Sequence, residues 1–187
     1  MKQFYPDAEE AMPNNAPEPR GKPAQLNVFV DADHAGNKIT RRSHAGILAF
    51  VNMAPTHWYS KRQNTVESST FSSEFIALKI TVELIISLRY KLRMFGVPIE
   101  EPAKIFCDNE AVHKNASRAD STLKKKHNSV AYHRVREAVA AGICDVTKEE
   151  TNSNLADILT KSLPPDKRMC LRQRMMVNEK VKNLKSD

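Results

Sequence analysis

Cysteine is scarce in this sequence: Cys107, Cys144 and Cys170 stand far apart and no Cys-x-x-Cys occurs. Three such residues indicate neither a disulfide framework nor a zinc site, which needs paired ligands at short spacing. Their usage fits a reducing, intracellular compartment. Long apolar runs are missing as well, since none approaches the roughly 20 residues of a membrane span. The acidic, proline-rich N-terminus also lacks the basic and apolar segments of a signal peptide. These absences argue for a soluble protein with no membrane partner.

What is plentiful is positive charge. The 29 Lys and Arg against 22 Asp and Glu leave a net charge of +7, which favours a polyanionic partner such as nucleic acid. The 187 residues are enough for one well-buried core and short for two. Five of the ten prolines fall between Pro6 and Pro23 without any apolar period, so residues 1–23 are expected to be a disordered leader or linker. Residues 24–163 then form the folded domain. Residues 164–187 are a basic C-terminal tail with helical character between Met169 and Met176 and no assigned role.

Inside the domain, Leu26, Val28 and Val30 alternate with Asn27, Phe29 and Asp31, the pattern of a strand that ends near Asp31. Apolar runs at residues 46–53 and 56–60, joined by short turns, add two more strands of an antiparallel meander, with Pro55 at a strand start or edge. The period then changes. Phe71, Phe75, Leu78, Val82, Ile85 and Leu92 recur at steps of three and four, interrupted by Arg89, and predict a long amphipathic helix that Gly96 and Pro98 close. Residues 105–107 predict a short buried strand, followed by a short helix around Ala111 and Val112. Residues 127–141 predict another helix, residues 143–146 a last strand, and residues 152–163 a last helix stopped by Pro164 and Pro165. The order β-β-β-α-β-α-α-β-α implies an α/β fold with a mixed five-stranded sheet and helices on its faces. Ligands of such sheets gather beyond the carboxyl ends of the parallel strands.

Four acids stand out by position: Asp31 and Asp108 at strand ends, Glu74 early in the long helix, and Asp157 early in the last one. Each has an ordinary alternative. Asp31 could belong to a turn, Asp108 could cap the next helix, and Asp157 could complement a helix dipole. Glu74 fits a capping box poorly, because Phe71 stands where Ser or Thr is needed. Four carboxylates converging on one sheet edge would repel one another unless a cation joined them. An all-oxygen set selects hard ions, Mg²⁺ or Mn²⁺.

Several short segments resemble the ribonuclease H domain of copia-type retrotransposon Pol polyproteins, downstream of the reverse transcriptase. They are Val30-Asp31-Ala32-Asp33-His34-Ala35-Gly36, Trp58-Tyr59-Ser60-Lys61-Arg62-Gln63, Ser68-Ser69-Thr70 with Glu74-Phe75-Ile76-Ala77, Cys107-Asp108-Asn109, Lys126-His127, and Ala156-Asp157-Ile158-Leu159-Thr160-Lys161. The resemblance implies a ribonuclease H-like fold in which Asp31, Glu74, Asp108 and Asp157 are the catalytic acids and bind two Mg²⁺ ions. It further implies hydrolysis of the RNA strand of an RNA/DNA hybrid, with a reverse transcriptase domain as a partner. Asn109 is placed by it near the hybrid backbone, although a helix-start role is equally open. Asp33 is expected to face away from Asp31 and is left out of the metal set. Lys124, Lys125 and Lys126 are candidate backbone contacts, against the alternative of a solvated loop.

Departures from the pattern are His34 for the usual Trp and Phe75 for the usual Tyr. No Tyr-x-Asp-Asp of a polymerase occurs. Few aromatic anchors and the Trp to His change motivate a second reading, a weakly active or inactive nucleic-acid-binding remnant of such a polyprotein.

Overall fold

The alternating run becomes β1 (Leu26–Asp33) in a computed structural model that describes residues 1–121 and 128–176. Its partner β2 (His44–Val51) runs antiparallel, as does β3 (Ala54–Arg62) beside β2. β4 (Ala103–Cys107) pairs parallel with β1, and β5 (Cys144–Lys148) parallel with β4. The sheet order is therefore β3-β2-β1-β4-β5, the expected mixed five-stranded sheet. Pro55 falls on the edge strand β3, where a missing N–H leaves no gap in a ladder.

β1 sits at the centre with both faces covered. Leu26, Val28 and Val30 pack into a core with Phe75, Leu78, Val82 and Ile85 of α1 (Thr70–Met94). α2 (Glu110–Ser117) and α3 (Ser129–Ala140) complete that layer through Val112, Ala116, Ala131 and Val135. On the opposite face Leu48 and Phe50 meet Leu155 and Leu171, supported by Phe29 and Ile158. Leu171 belongs to α5 (Pro165–Met176), so the basic tail contributes a buried anchor to this second layer.

Local chemistry sets the helix ends. Ser69 accepts from the Ser72 N–H at 3.2 Å and starts α1, while Gly96 at φ +71° takes the left-handed position beyond it. Asn109, not Asp108, caps α2: its side-chain oxygen accepts from the Ala111 and Val112 N–H groups at 3.0 and 3.2 Å. We expect Asn109→Ala to lower stability by about 1 kcal/mol in denaturant titration, the usual worth of such a cap.

The last helix differs most from expectation. Instead of residues 152–163, α4 comprises only Asp157–Thr160. Asn154 explains the late start, because its amide donates to the Val30 carbonyl at 2.9 Å and its oxygen accepts from the Ala156 N–H at 3.1 Å. Those side-chain bonds replace the first helical turn. Lys161 is already extended and ends the helix.

The leader has one 3₁₀ turn, Lys2–Phe4, and otherwise irregular backbone. It is nonetheless fastened to the domain. Glu10 takes ionic hydrogen bonds from Arg89 and Arg93, the Tyr5 hydroxyl meets His133 Nδ1 at 2.7 Å, and the Arg20 N–H donates to the Gly96 carbonyl at 2.9 Å. The expectation of a disordered leader missed these contacts, because composition carries no sign of a partner elsewhere in the chain.

Candidate metal centre

Parallel pairing brings the ends of β1 and β4 side by side, and α1 passes over them. Asp31 on β1 is fully buried, Glu74 in the second turn of α1 is 6% exposed, and Asp108 follows the last residue of β4. One carboxylate oxygen from each lies within 4.8 Å of the other two. Because Asn109 serves as the α2 cap, the Asp108 carboxylate is spared for this group.

Burial and mutual proximity raise the proton affinity of the group. Burial first, then the neighbouring Asp31 and Asp108, push the Glu74 carboxyl up to about 9, against partial relief from Lys161 and the Ala32 backbone. Asp108 is raised in the same direction, again mainly by burial and then by Asp31. The adjacent Cys107 thiol is pushed up to about 12 by burial and then by Glu74 and Asp108, and it is not one of the three grouped side chains. The donors are thus three oxygens, a set that fits a hard divalent cation.

Asp157 stands outside this group of three among the described residues. Its buried carboxylate is held by two ammonium groups, Lys161 at 2.6 Å from one oxygen and Lys167 at 2.8 Å from the other. Lys161 also reaches Asp31 at 3.1 Å, and the Thr160 hydroxyl donates to the second oxygen of Asp31. Asp31 therefore faces the three-acid group on one side and a lysine-bridged Asp157 on the other. β2 makes room for this: Gly46 pairs with Asp31, and a Cβ there would meet Thr160 Cγ2 at 2.6 Å and the Ala156 carbonyl at 3.0 Å.

In the sequence Thr160 and Lys161 stand out only as members of the segment from Ala156 to Lys161, with no role of their own, and Lys167 does not stand out at all. The spacing of Asp157 and Lys161, one helical turn apart, was the available signal for Lys161. Nothing in the tail's composition marked Lys167. Asp33 needs correction: strand residues two apart share a face, so it lies on the same side of β1 as Asp31. It is not part of the cation group, and its carboxylate folds over Gly36, where a Cβ would meet it at 1.7 Å. Lys124, Lys125 and Lys126 lie outside the described residues.

A sheet of this order, with acids gathered at adjoining strand ends, defines the ribonuclease H-like class of folds. The fold matches the N-terminal ribonuclease H domain of a Mycobacterium tuberculosis protein at TM-score 0.57 and 12% identity, covering 80% of this chain and 97% of that one. It matches ribonuclease H1 of Halobacterium salinarum at TM-score 0.56 and 14% identity, covering 78% and 98%. LC11 ribonuclease H1, solved with an RNA/DNA hybrid, aligns at TM-score 0.55 and 15% identity over 73% and 94%.

In sequence the chain is similar to retrovirus-related Pol polyproteins of plant transposons. It is 34% identical over 142 residues to that of transposon TNT 1-94 of Nicotiana tabacum, a stretch that is 76% of this chain and 11% of the relative. It is 29% identical over 144 residues to that of transposon RE1 of Arabidopsis thaliana, 77% of this chain and 10% of the relative. The chain thus spans about a tenth of the length of these relatives. No family model matches it. Among the described residues no helix is long and apolar enough to cross a membrane.

Proposed function

We propose that the chain is the ribonuclease H domain of a copia-type retrotransposon polyprotein and cuts the RNA strand of RNA/DNA hybrids during reverse transcription. The observation that carries this reading is the convergence of Asp31, Glu74 and Asp108 within 4.8 Å at adjoining strand ends. Asp31, Glu74 and Asp108 would hold one Mg²⁺ or Mn²⁺, and Asp31 with Asp157 a second. Bound there, two such ions supply a nucleophilic hydroxide at neutral pH and stabilise the charge on the leaving oxygen.

The chain's own residues prepare that chemistry. Packing of α1 on β1 shields Asp31 and Glu74 from bulk water, which strengthens every charge interaction inside. The Thr160 hydroxyl fixes one oxygen of Asp31. Glu74, whose carboxyl is raised by burial and by Asp31 and Asp108, would hold a proton among the crowded carboxylates and would bind a cation in its deprotonated form. The net charge of +7 draws the phosphate backbone of the hybrid, with Lys124, Lys125 and Lys126 as candidate contacts and a reverse transcriptase domain as the partner that delivers substrate.

The purified chain should cleave labelled RNA/DNA hybrid with Mg²⁺ or Mn²⁺, leaving a 3′ hydroxyl and a 5′ phosphate, and spare RNA and DNA duplexes. No hybrid cleavage with either ion overturns the reading. Asp108→Asn should reduce cleavage to background while the thermal midpoint stays within a few degrees, since Asp108 caps no helix.

One observation favours the second reading, a binding module without turnover: both oxygens of Asp157 are already occupied by lysines. Salt-sensitive hybrid binding without any product would support it.

A further inference from the structure

We infer that Lys161 is a built-in competitor for the cation position between Asp31 and Asp157, so that the centre fills in two separate steps. This rests on the cation-binding reading above. The two halves of the centre differ in what they already hold. Among the described residues neither Glu74 nor Asp108 makes an ion pair, and Asp31 is paired only with Lys161, so a cation can join the three acids while the ammonium keeps its closer contact to Asp157. Between Asp31 and Asp157 an ammonium is in place, 3.1 Å from one carboxylate and 2.6 Å from the other.

A dication and an ammonium on the same two carboxylates repel at close range, so the second cation has to displace Lys161. The lysine is one helical turn from Asp157 and cannot diffuse away, which keeps its effective concentration high. It can leave: its side chain is 35% exposed, whereas both acids are 1% exposed. Lys167 remains on the outer oxygen of Asp157 and holds α5 there. The first cation therefore leaves the lysine its contact with Asp157, and the second, which must break that contact as well, binds more weakly. By linkage, the second cation also drives Lys161 into solvent.

The test is a Mn²⁺ titration of the full chain, with free ion read by electron paramagnetic resonance and Lys161 reactivity read by amine labelling and mass spectrometry. The wild type should show two unequal sites. Lys161→Gln should tighten the weaker site by about tenfold, within the usual range of coupling between adjacent sites, and leave the tighter one nearly unchanged. Lys161→Arg should restore the weak site. Labelling of wild-type Lys161 should rise only in the second binding phase.

Two sites that Lys161→Gln leaves unchanged, or a single site in both proteins, overturn the role of Lys161 alone. No Mn²⁺ binding to the wild type overturns the cation reading beneath it. If Lys161→Gln does not fold by circular dichroism, the wild-type labelling profile decides. Flat reactivity across the titration overturns the inference.

Discussion

Glu74→Gln is expected to stabilise the cation-free protein above neutral pH and to remove most of its stabilisation by Mn²⁺. In the folded chain the Glu74 carboxyl is raised from its ordinary 4.5 to about 9, by burial and by the two neighbouring acids. An unfolded chain releases that proton near 4.5, whereas the folded one retains it to about 9. Stability is therefore fully present below the lower value and is lost as pH rises through the window, by about 1.4 kcal/mol per pH unit for one group. Gln preserves the shape of the protonated acid and cannot ionise, so this slope should vanish. Denaturant titrations in chelator from pH 5 to 9 measure it, and equal slopes for the two proteins would contradict the assignment. With Mn²⁺ added, the wild type should gain more stability as pH rises, because the ion displaces a proton that is held less firmly.

Glu10→Ala is expected to cost about 2 kcal/mol, a large effect for a residue in an irregular leader, because it strips a buried guanidinium of its partner. Arg89 is 3% exposed and interrupts the apolar stripe of α1. Its Nε and one terminal nitrogen donate to the two oxygens of Glu10 at 2.7 and 2.8 Å, and the other to the Glu101 carbonyl at 2.8 Å. Arg93 reaches the same carboxylate at 2.9 Å. Burial alone would raise the Glu10 carboxyl, but the two guanidiniums outweigh it and hold it below its ordinary range. The ion pair is consequently present at neutral pH and is lost as pH falls through that lowered value. A lower thermal midpoint together with faster proteolysis within residues 1–23 is the expected result. Unchanged proteolysis would show that the leader is held by other contacts.

Arg89 also shows where sequence reading succeeds and stops. The steps of three and four from Phe71 to Leu92 located α1 because burial of one stripe leaves that period in the residues themselves. The same stripe flagged Arg89 as an exception, but its partner is 79 positions away and carries no periodic mark. The antiparallel meander and the mixed sheet followed similarly from alternation and turn residues, and residue type with position selected Asp31, Glu74, Asp108 and Asp157, of which the first three lie together. The extent of α4 did not follow, because Asn154 spends its side chain on the Val30 carbonyl across the sheet. Nor did the position of Lys161 between two acids, since its contact with Asp31 spans 130 residues. What escapes the sequence here are side-chain bonds between distant segments, which are set by the finished fold.

Gly46 gives this last point a temporal meaning. With no side chain there, α4 rests directly on the backbone of β2, and that contact brings Thr160 and Lys161 to Asp31. The contact joins residues 130 positions apart, so it cannot form before nearly the whole domain has been made. During synthesis, a chain that has not yet reached α4 carries the first three acids and neither lysine. The three acids therefore meet the ammonium groups of Lys161 and Lys167 only once α4 and α5 have joined the sheet.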